Sequence, residues 1–375
     1  MGAGTGQRGA GTGFGHRGPA RDPSSAPNST ACPIPQTRRV RAPEARLGNC
    51  CRLILGLMDV EQQKPRILTA ADLLSRGYSR RAREHAERRG DLTRIRHGVY
   101  ALGSDLPVGP RASEALLELR SRAAARTLAS GTVLSHTSAL VMHGLPVHGM
   151  DTEVVATTRN RPGSGSRRGS RTVCHNADLT DAVMEIDEIQ VTNPARTIID
   201  VARTQGFDGA VCAADEALHR GLCTPDQLTA ELEAAAGRKG VARARAVVSF
   251  ADGRAESVLE SLSRVSISRA GLPMPELQVE FVLPDGSGAR VDMYWERWRL
   301  VGECDGLGKY GAAGGEVAVR RRLRAEKARQ NGLEALGNSV RSWLWQDWER
   351  DRIPGIVRSA MLSREKLGLG GKHAS

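Results

Sequence analysis

The chain has 375 residues, which at about 150 residues per domain predicts two or three domains. Apolar residues make up 40% and charged residues 26%, as in typical globular proteins, but aromatic residues make up only 3%, so that the cores are predicted to be mostly aliphatic. No apolar run approaches the roughly 18 residues that span a bilayer, which predicts no membrane-spanning segment. The net charge of +12 makes a polyanion the first partner to consider.

The cysteines favour a reduced, cytoplasmic protein. Their number is odd, and no Cys-x-x-Cys pair or Cys/His cluster has the spacing of a zinc site. The only stretch that resembles the apolar part of a signal peptide, Leu53–Met58, is too short and lies too far from the N-terminus. The seven cysteines are Cys32, Cys50, Cys51, Cys174, Cys212, Cys223 and Cys304.

Residues 1–57 are predicted to be a disordered basic tail. The segment is rich in Gly, Pro and Ser, and its eight arginines face only two acids, Asp22 and Glu44. Such a composition buries too little apolar surface to offset the entropy of ordering. A solvated tail, or sequence upstream of a start at Met58, is favoured over a basic arm that contacts nucleic acid.

Residues 65–106 have the element order of a winged helix-turn-helix. Thr69, with an acid three residues later, is a typical helix N-cap, and Ser79 caps a second predicted helix that ends at Gly90. The alternating residues 92–96, a His-Gly turn and the apolar residues 99–101 then predict a β-hairpin.

The charge of this segment points to DNA. Between residues 76 and 96, eight arginines face three acids. Arginine side chains at the start of a recognition helix reach base edges, and those on a wing lie beside the backbone. A surface helix with solvated arginines is the alternative, but the element order favours DNA binding. The predicted DNA-binding residues are Arg76, Arg80, Arg81, Arg83, Arg94 and Arg96.

Residues 111–250 alternate predicted helices and strands, which indicates an α/β middle domain. His136, His143 and His148 lie in this region. Their spacing fits no ligand signature and no acid is placed to orient them, so they are interpreted as structural histidines.

Two parts of this sequence resemble a known family. The phrases LTAADLLSRGYS (68–79) and RHGVYALG (96–103) resemble the N-terminal winged-helix domain of AbiEi-like type IV antitoxins. LSHTSAL (134–140) and VTNPARTIID (191–200) are similar to the middle region of proteins that carry that domain, and the resemblance covers about residues 65–235. It implies a DNA-binding, antitoxin-like transcriptional regulator, with a cognate toxin protein and a second copy of the chain as candidate partners.

The last third of the chain has a different composition, because all five tryptophans follow residue 290. Residues 253–350 are predicted to form a helix, three strands, a long basic helix and a final strand. Asp292 lies on one predicted strand, Glu303 and Asp305 on the next, and Glu256 or Glu260 on the first helix. Carboxylates that converge from neighbouring elements are the ligands that Mg²⁺ prefers, so Asp292 and Glu303 are the predicted metal ligands.

This order resembles the PD-(D/E)xK fold, and residues 291–293, 301–310 and 326–337 look like very-short-patch repair endonucleases. The resemblance implies a restriction-endonuclease-like α/β domain with Glu256, Asp292 and Glu303 in its site. The family pattern places a lysine two residues after the acid, where this chain has Asp305. Lys309 or Lys327 would then have to supply the cation.

The sequence therefore predicts an α+β or α/β multidomain protein that ends in a C-terminal tail, 351–375. Its preferred function is DNA-binding transcriptional control. One alternative is a Mg²⁺-dependent DNA endonuclease that the winged helix targets, and another is a degenerate nuclease fold that acts in binding or dimerisation. A purely structural or partner-binding protein would bind neither DNA nor metal.

Overall fold

The computed structural model describes residues 66–162, 166–169, 171–305 and 315–368, without the side chains of 315–319 and 322. All of them lie in the unit Cys50–Ser375. The chain is a mixed α and β protein with several sheets, as predicted. The predicted tail 1–57 and Lys309 fall outside the described residues.

The N-terminal segment has the predicted helices and hairpin, together with one additional strand. In the additional strand, Leu68 pairs with Tyr100 and extends the hairpin into an antiparallel sheet of order β1-β3-β2. A core of Leu68, Leu73, Ala86, Leu92 and Tyr100 joins this sheet to the two helices. The elements are β1 Ile67–Thr69, α1 Ala70–Ser75, α2 Arg80–Arg89, β2 Leu92–Arg96 and β3 Val99–Leu102.

The middle region is a mixed sheet of order β6-β7-β5-β4-β9-β8 with helices packed around an aliphatic core. Leu117, Leu140, Ile198 and Ile199 are completely buried in that core, in line with the low aromatic content. The elements are α3 Ala112–Ala125, β4 Thr132–Leu134, α4 His136–Met142, β5 Val155–Asn160, β6 Arg167–Arg168, β7 Thr172–Ala177, β8 Val183–Ile186, β9 Ile189–Thr192, α5 Pro194–Thr204, α6 Phe207–His219, α7 Pro225–Ala234 and α8 Val241–Phe250.

The C-terminal region is a sheet of order β10-β11-β12-β13, antiparallel except for the parallel pair β12–β13. Trp295, Trp298 and Trp343 lie in its core. A Cβ atom on Gly302 would lie 2.5 Å from the Trp343 ring, so only glycine fits there. The elements are α9 Val258–Arg269, β10 Glu276–Val282, β11 Gly288–Trp295, β12 Leu300–Asp305, α10 Gly315–Ala335, β13 Ser339–Leu344, α11 Trp345–Glu349 and α12 Ile353–Lys366.

The end of this region differs from the predicted tail 351–375. Helix α12 packs on α9 and β13, and its residues Ile353, Val357, Ala360 and Met361 are buried in the tryptophan core. These four residues follow the helical period, so that one apolar stripe faces the sheet. In the described part of the chain, no helix is both long enough and apolar enough to cross a bilayer.

A buried ion pair joins helix α6 of the middle region to α9 of the C-terminal region. Arg264 Nη1 lies 2.7 Å from Asp215 Oδ2, and both side chains are buried. Ser261 Oγ and the backbone N–H of Asp252 also donate to the Asp215 carboxylate, at 2.7 and 2.8 Å. Arg264 Nη2 donates to the Phe250 carbonyl, so the network satisfies both charges.

We expect Asp215→Ala to lower the free energy of unfolding by about 3–5 kcal/mol, because the Arg264 charge would remain buried without its counter-ion. Asp208→Ala is the matched control, since Asp208 pairs with Arg269 between the same two helices but at the surface. The free energy of unfolding of this control variant should fall by less than about 1 kcal/mol. Urea unfolding followed by tryptophan fluorescence measures both values. If both variants lost the same free energy of unfolding, the buried ion pair would be no stronger than the exposed one, which would contradict the prediction.

Candidate nucleic-acid interface

Both helices of the N-terminal segment begin at the predicted caps. The Thr69 hydroxyl accepts a hydrogen bond from the Asp72 N–H at 3.0 Å, and the Asp72 carboxylate accepts one from the Thr69 N–H, which completes a capping box. Ser79 Oγ accepts from the Ala82 N–H at 3.2 Å. These local bonds fix where α2 begins and therefore which of its faces is exposed.

The inward face of α2 consists of Ala86, which is buried, and Arg83, which is half-buried. Arg83 Nη1 donates to the Ala70 carbonyl at 3.1 Å, and the guanidinium lies 6.0 Å from the centre of the Tyr100 ring. Arg83 was predicted to contact DNA. In the structure it connects α2 to the start of α1 and to the sheet, so it positions the helix.

The outward face of α2 is cationic. Arg80 and Arg81 are exposed, and Arg80 Nε pairs with Glu84 at 3.1 Å. His85 and Arg88 follow Arg81 by four and seven residues, which places them on the same face. No acid among the described residues lies within ion-pair distance of Arg81 or Arg88. Sequence reasoning omitted His85 and Arg88 from the site, although the helical spacing could have identified them.

The hairpin adds two arginines beside this helix. Gly98 turns the chain with a φ of +72°, a conformation that glycine adopts readily. Arg94 is exposed and its Nη2 lies 2.9 Å from His97 Nδ1. Arg96 is half-buried, and this burial lowers the pKa of its guanidinium. The strand pairing shifts between these two arginines, and Arg76 is exposed at the end of α1.

Asp292 and Glu303 occupy facing positions on β11 and β12, since the next pair along these strands is Met293 with Gly302. The N–H of Cys304 donates to Asp292 Oδ2 at 2.7 Å. Arg329 Nη1, on α10, donates to Glu303 Oε1 at 3.0 Å. The structure therefore brings the two predicted ligands together, but each accepts a hydrogen bond from the protein itself.

The acid contributed by the first helix is Glu260 rather than Glu256. Ser257 caps α9, so Glu256 precedes the helix, is exposed and pairs with Arg290 at 2.8 Å. Glu260 is buried and accepts hydrogen bonds from Ser257 Oγ at 2.8 Å and Gln278 Nε2 at 2.9 Å. Burial raises the pKa of the Glu260 carboxyl, and the charge of Asp292 raises it further.

The cation that contacts Glu303 is Arg329, which sequence reasoning did not consider. Lys327 is exposed on α10, and residues two apart on a helix point in different directions. Burial opposes the charge of Arg329, but hydrogen bonds to Glu326 and Glu303 raise the pKa of its guanidinium. Asp305 is half-buried at the end of β12.

This arrangement does not fit a Mg²⁺ site. Within the ranges that the structure describes, no three His, Cys, Asp or Glu side chains are placed to hold a metal ion. Mg²⁺ requires oxygen ligands in near-octahedral geometry. Here the guanidinium of Arg329 already neutralises the Glu303 carboxylate.

Two parts of the chain match family models. Residues 57–103 match the model described as "Transcriptional regulator, AbiEi antitoxin". Residues 131–250 match the model described as "AbiEi antitoxin C-terminal domain". The first match includes α1, α2 and the hairpin with the exposed arginines, and the second includes the middle sheet and its helices.

The chain is also similar to proteins from two strains of Mycobacterium tuberculosis, each described as an uncharacterized protein. Each is 31% identical over 219 residues, which cover 58% of this chain and 75% of the mycobacterial protein. The chain therefore belongs to the same family as these proteins, and two of its segments are similar to the domains of AbiEi antitoxins.

Proposed function

We propose that the chain is an antitoxin-type transcriptional regulator that binds duplex DNA through a winged helix-turn-helix formed by residues 66–106. The observation that carries this proposal is the outward face of α2, where Arg81 and Arg88 have no ion-pair partner among the described residues while the inward face is buried. A helix whose arginines are left unpaired is suited to a polyanion.

The dimensions of α2 support the proposal. Its ten residues span about 15 Å, and a helix of ordinary width fits the major groove, which is about 12 Å wide. Arg81 lies near the N-terminal end, the part of a recognition helix that contacts base edges. Its guanidinium can hold guanine or phosphate in a bidentate manner.

The neighbouring arginines take supporting roles in this arrangement. Arg94, exposed on the hairpin, is placed to contact phosphates beside the groove. Glu84 competes with the DNA phosphates for Arg80, and Arg83 acts indirectly by holding α2. Direct readout is thus assigned to Arg81 and Arg88, and backbone positioning to Arg94.

The partners follow from the antitoxin domains. The family descriptions support a cognate toxin protein, and we assign its binding to the middle region, which matches the antitoxin C-terminal domain. A homodimer would present two copies of α2 to half-sites one helical turn apart, which is the usual geometry of helix-turn-helix regulators.

The experiment is a selection of binding sites from a pool of random-sequence DNA duplexes. We expect the chain to enrich one motif, and the double variant Arg81→Ala/Arg88→Ala to lose that enrichment, because the contacts assigned to base edges are removed. Arg245→Ala/Arg350→Ala removes the same charge from exposed positions outside this face. Equal enrichment by both double variants would refute the assignment.

A metal-dependent nuclease is the second candidate, favoured by the element order α9, β10, β11, β12, α10, β13 and by the facing carboxylates Asp292 and Glu303. The Arg329 contact and the residue Asp305 at the usual lysine position weigh against it. We infer that this region contributes binding or dimerisation and does not cut DNA.

With Mg²⁺ or Mn²⁺ present, we expect the full chain to leave duplex, nicked and mismatched DNA intact, because the Glu303 carboxylate is paired with Arg329. The measurement is gel analysis of these substrates after incubation. Asp292→Ala, Glu303→Ala and the exposed-turn control Asp285→Ala are run in parallel. Cleavage that disappears in the first two variants and persists in the control would establish the nuclease.

A further inference from the structure

The middle region contains a polar cavity of about 350 Å³ to which no role has yet been assigned. It lies between β5, β7, the end of α5 and the loop that precedes α8. Its volume is in the range of small-molecule sites. Its lining includes His136, His175, Asp200, Arg203, Arg238 and Lys239.

His136 is held in this wall in a strained conformation. Its φ is +50°, which is unfavourable for a residue with a Cβ atom, and only 4% of the residue is exposed. Such outliers cost about 1–3 kcal/mol and concentrate at functional sites. Helix α4 thus begins with a buried imidazole beside a cavity, a combination that packing alone does not require.

His136 Nδ1 lies 2.9 Å from Ser135 Oγ, which accepts a hydrogen bond from Thr158 Oγ1 at 2.8 Å. Burial lowers the pKa of His136 to about 3, so the ring is neutral and has a single N–H donor. We assign that proton to Nε2, because the Ser135 hydroxyl can donate to Nδ1. Among the described residues, no acceptor lies within hydrogen-bond distance of this Nε2.

His175 extends the same polar wall. Its ring stacks on that of His136 with centroids 4.0 Å apart, and its Nδ1 lies 3.0 Å from Ser166 Oγ. Burial also lowers the pKa of His175, which leaves the stacked pair neutral. Both rings also line a neighbouring cavity of about 190 Å³.

The acids in the wall are already engaged. Asp200 is bound by Arg196 at 2.8 Å and by Arg203 at 2.9 Å. Asp178 accepts hydrogen bonds from the N–H and the hydroxyl of Thr180, at 2.9 and 2.7 Å. The lining therefore carries three cations, Arg203, Arg238 and Lys239, against the two carboxylates of Asp178 and Asp200.

Two of the cations that line the cavity are Arg238 and Lys239. Within the described part of the chain, neither side chain has an acid at ion-pair distance. Arg203 Nε donates to the Lys239 carbonyl at 3.1 Å, which fixes the loop that carries both cations beside α5. These cations and the neutral His136 ring thus line the same cavity.

We propose that this cavity binds a small phosphate-bearing molecule, with Arg238 and Lys239 bound to the phosphate oxygens and His136 Nε2 donating a hydrogen bond to the same ligand. Phosphate oxygens are strong acceptors that favour charge-assisted bonds, and guanidinium and ammonium groups are their usual donors. This site is independent of the DNA-binding face and goes beyond the proposed function.

Calorimetric titrations of the full chain with inorganic phosphate, a nucleoside monophosphate and a 5′-phosphorylated single-stranded oligonucleotide test the proposal and distinguish the source of the phosphate. We expect saturable binding of at least one probe, and binding weaker by about tenfold or more in Arg238→Ala/Lys239→Ala, because charge-assisted bonds are lost. Arg245→Ala/Arg350→Ala, with the same change in charge, should bind as the wild type does.

Histidine ring resonances give a second measurement that does not depend on those variants. We expect the signals of His136 and His175 to shift with the probe, and those of His85 and His97, on the N-terminal segment, to stay in place for the two small probes. The proposal is overturned if none of the three probes binds, if the two double variants bind alike, or if the His136 and His175 signals do not move.

Discussion

The ion pair between Asp215 and Arg264 is the contact on which the arrangement of the last two regions depends. Burial raises the pKa of Asp215 to about 6, so the carboxylate is ionised at neutral pH and requires the guanidinium beside it. Arg264 also lies 4.8 Å from the centre of the Phe250 ring and donates to the Phe250 carbonyl. Since a buried charge tolerates few positions of its counter-ion, α6 and α9 are held in one relative position. The sheets on either side of this junction are therefore rigidly connected through two helices.

The arginines of the C-terminal region and those of α2 differ in whether the protein itself balances their charge. In the C-terminal region Arg329 forms ion pairs with Glu303 and Glu326, so its charge is balanced within the protein. On α2, by contrast, Arg81 and Arg88 face solvent without partners among the described residues. Folding gains nothing from such unpaired cations, because exposed charges contribute little to stability. Such cations can instead bind an anionic partner, which is why we place the DNA interface on α2.

Local features could be predicted from the sequence, and tertiary ones could not. Ser79 caps α2 through bonds within four residues, so its role is visible in the sequence alone. The inward direction of Arg83 could not be predicted, because it depends on where the Ala70 carbonyl and the Tyr100 ring lie in the fold. Likewise, the sequence does not show that Arg329 rather than Lys327 faces Glu303, because this depends on how α10 is oriented about its own axis. Residues 351–375 were assigned to a tail, although Ile353, Val357, Ala360 and Met361 recur with the helical period that identifies α12.

The central claim is that the chain binds DNA with the outward face of α2. Amide hydrogen exchange on the full chain, free and bound to its selected duplex, tests this directly, because it locates protection without any substitution. The account predicts slower exchange at α1, α2 and the β2–β3 hairpin, and unchanged exchange at the Asp215–Arg264 junction. Protection confined to α10 and β13, with α2 exchanging as in the free protein, would contradict it.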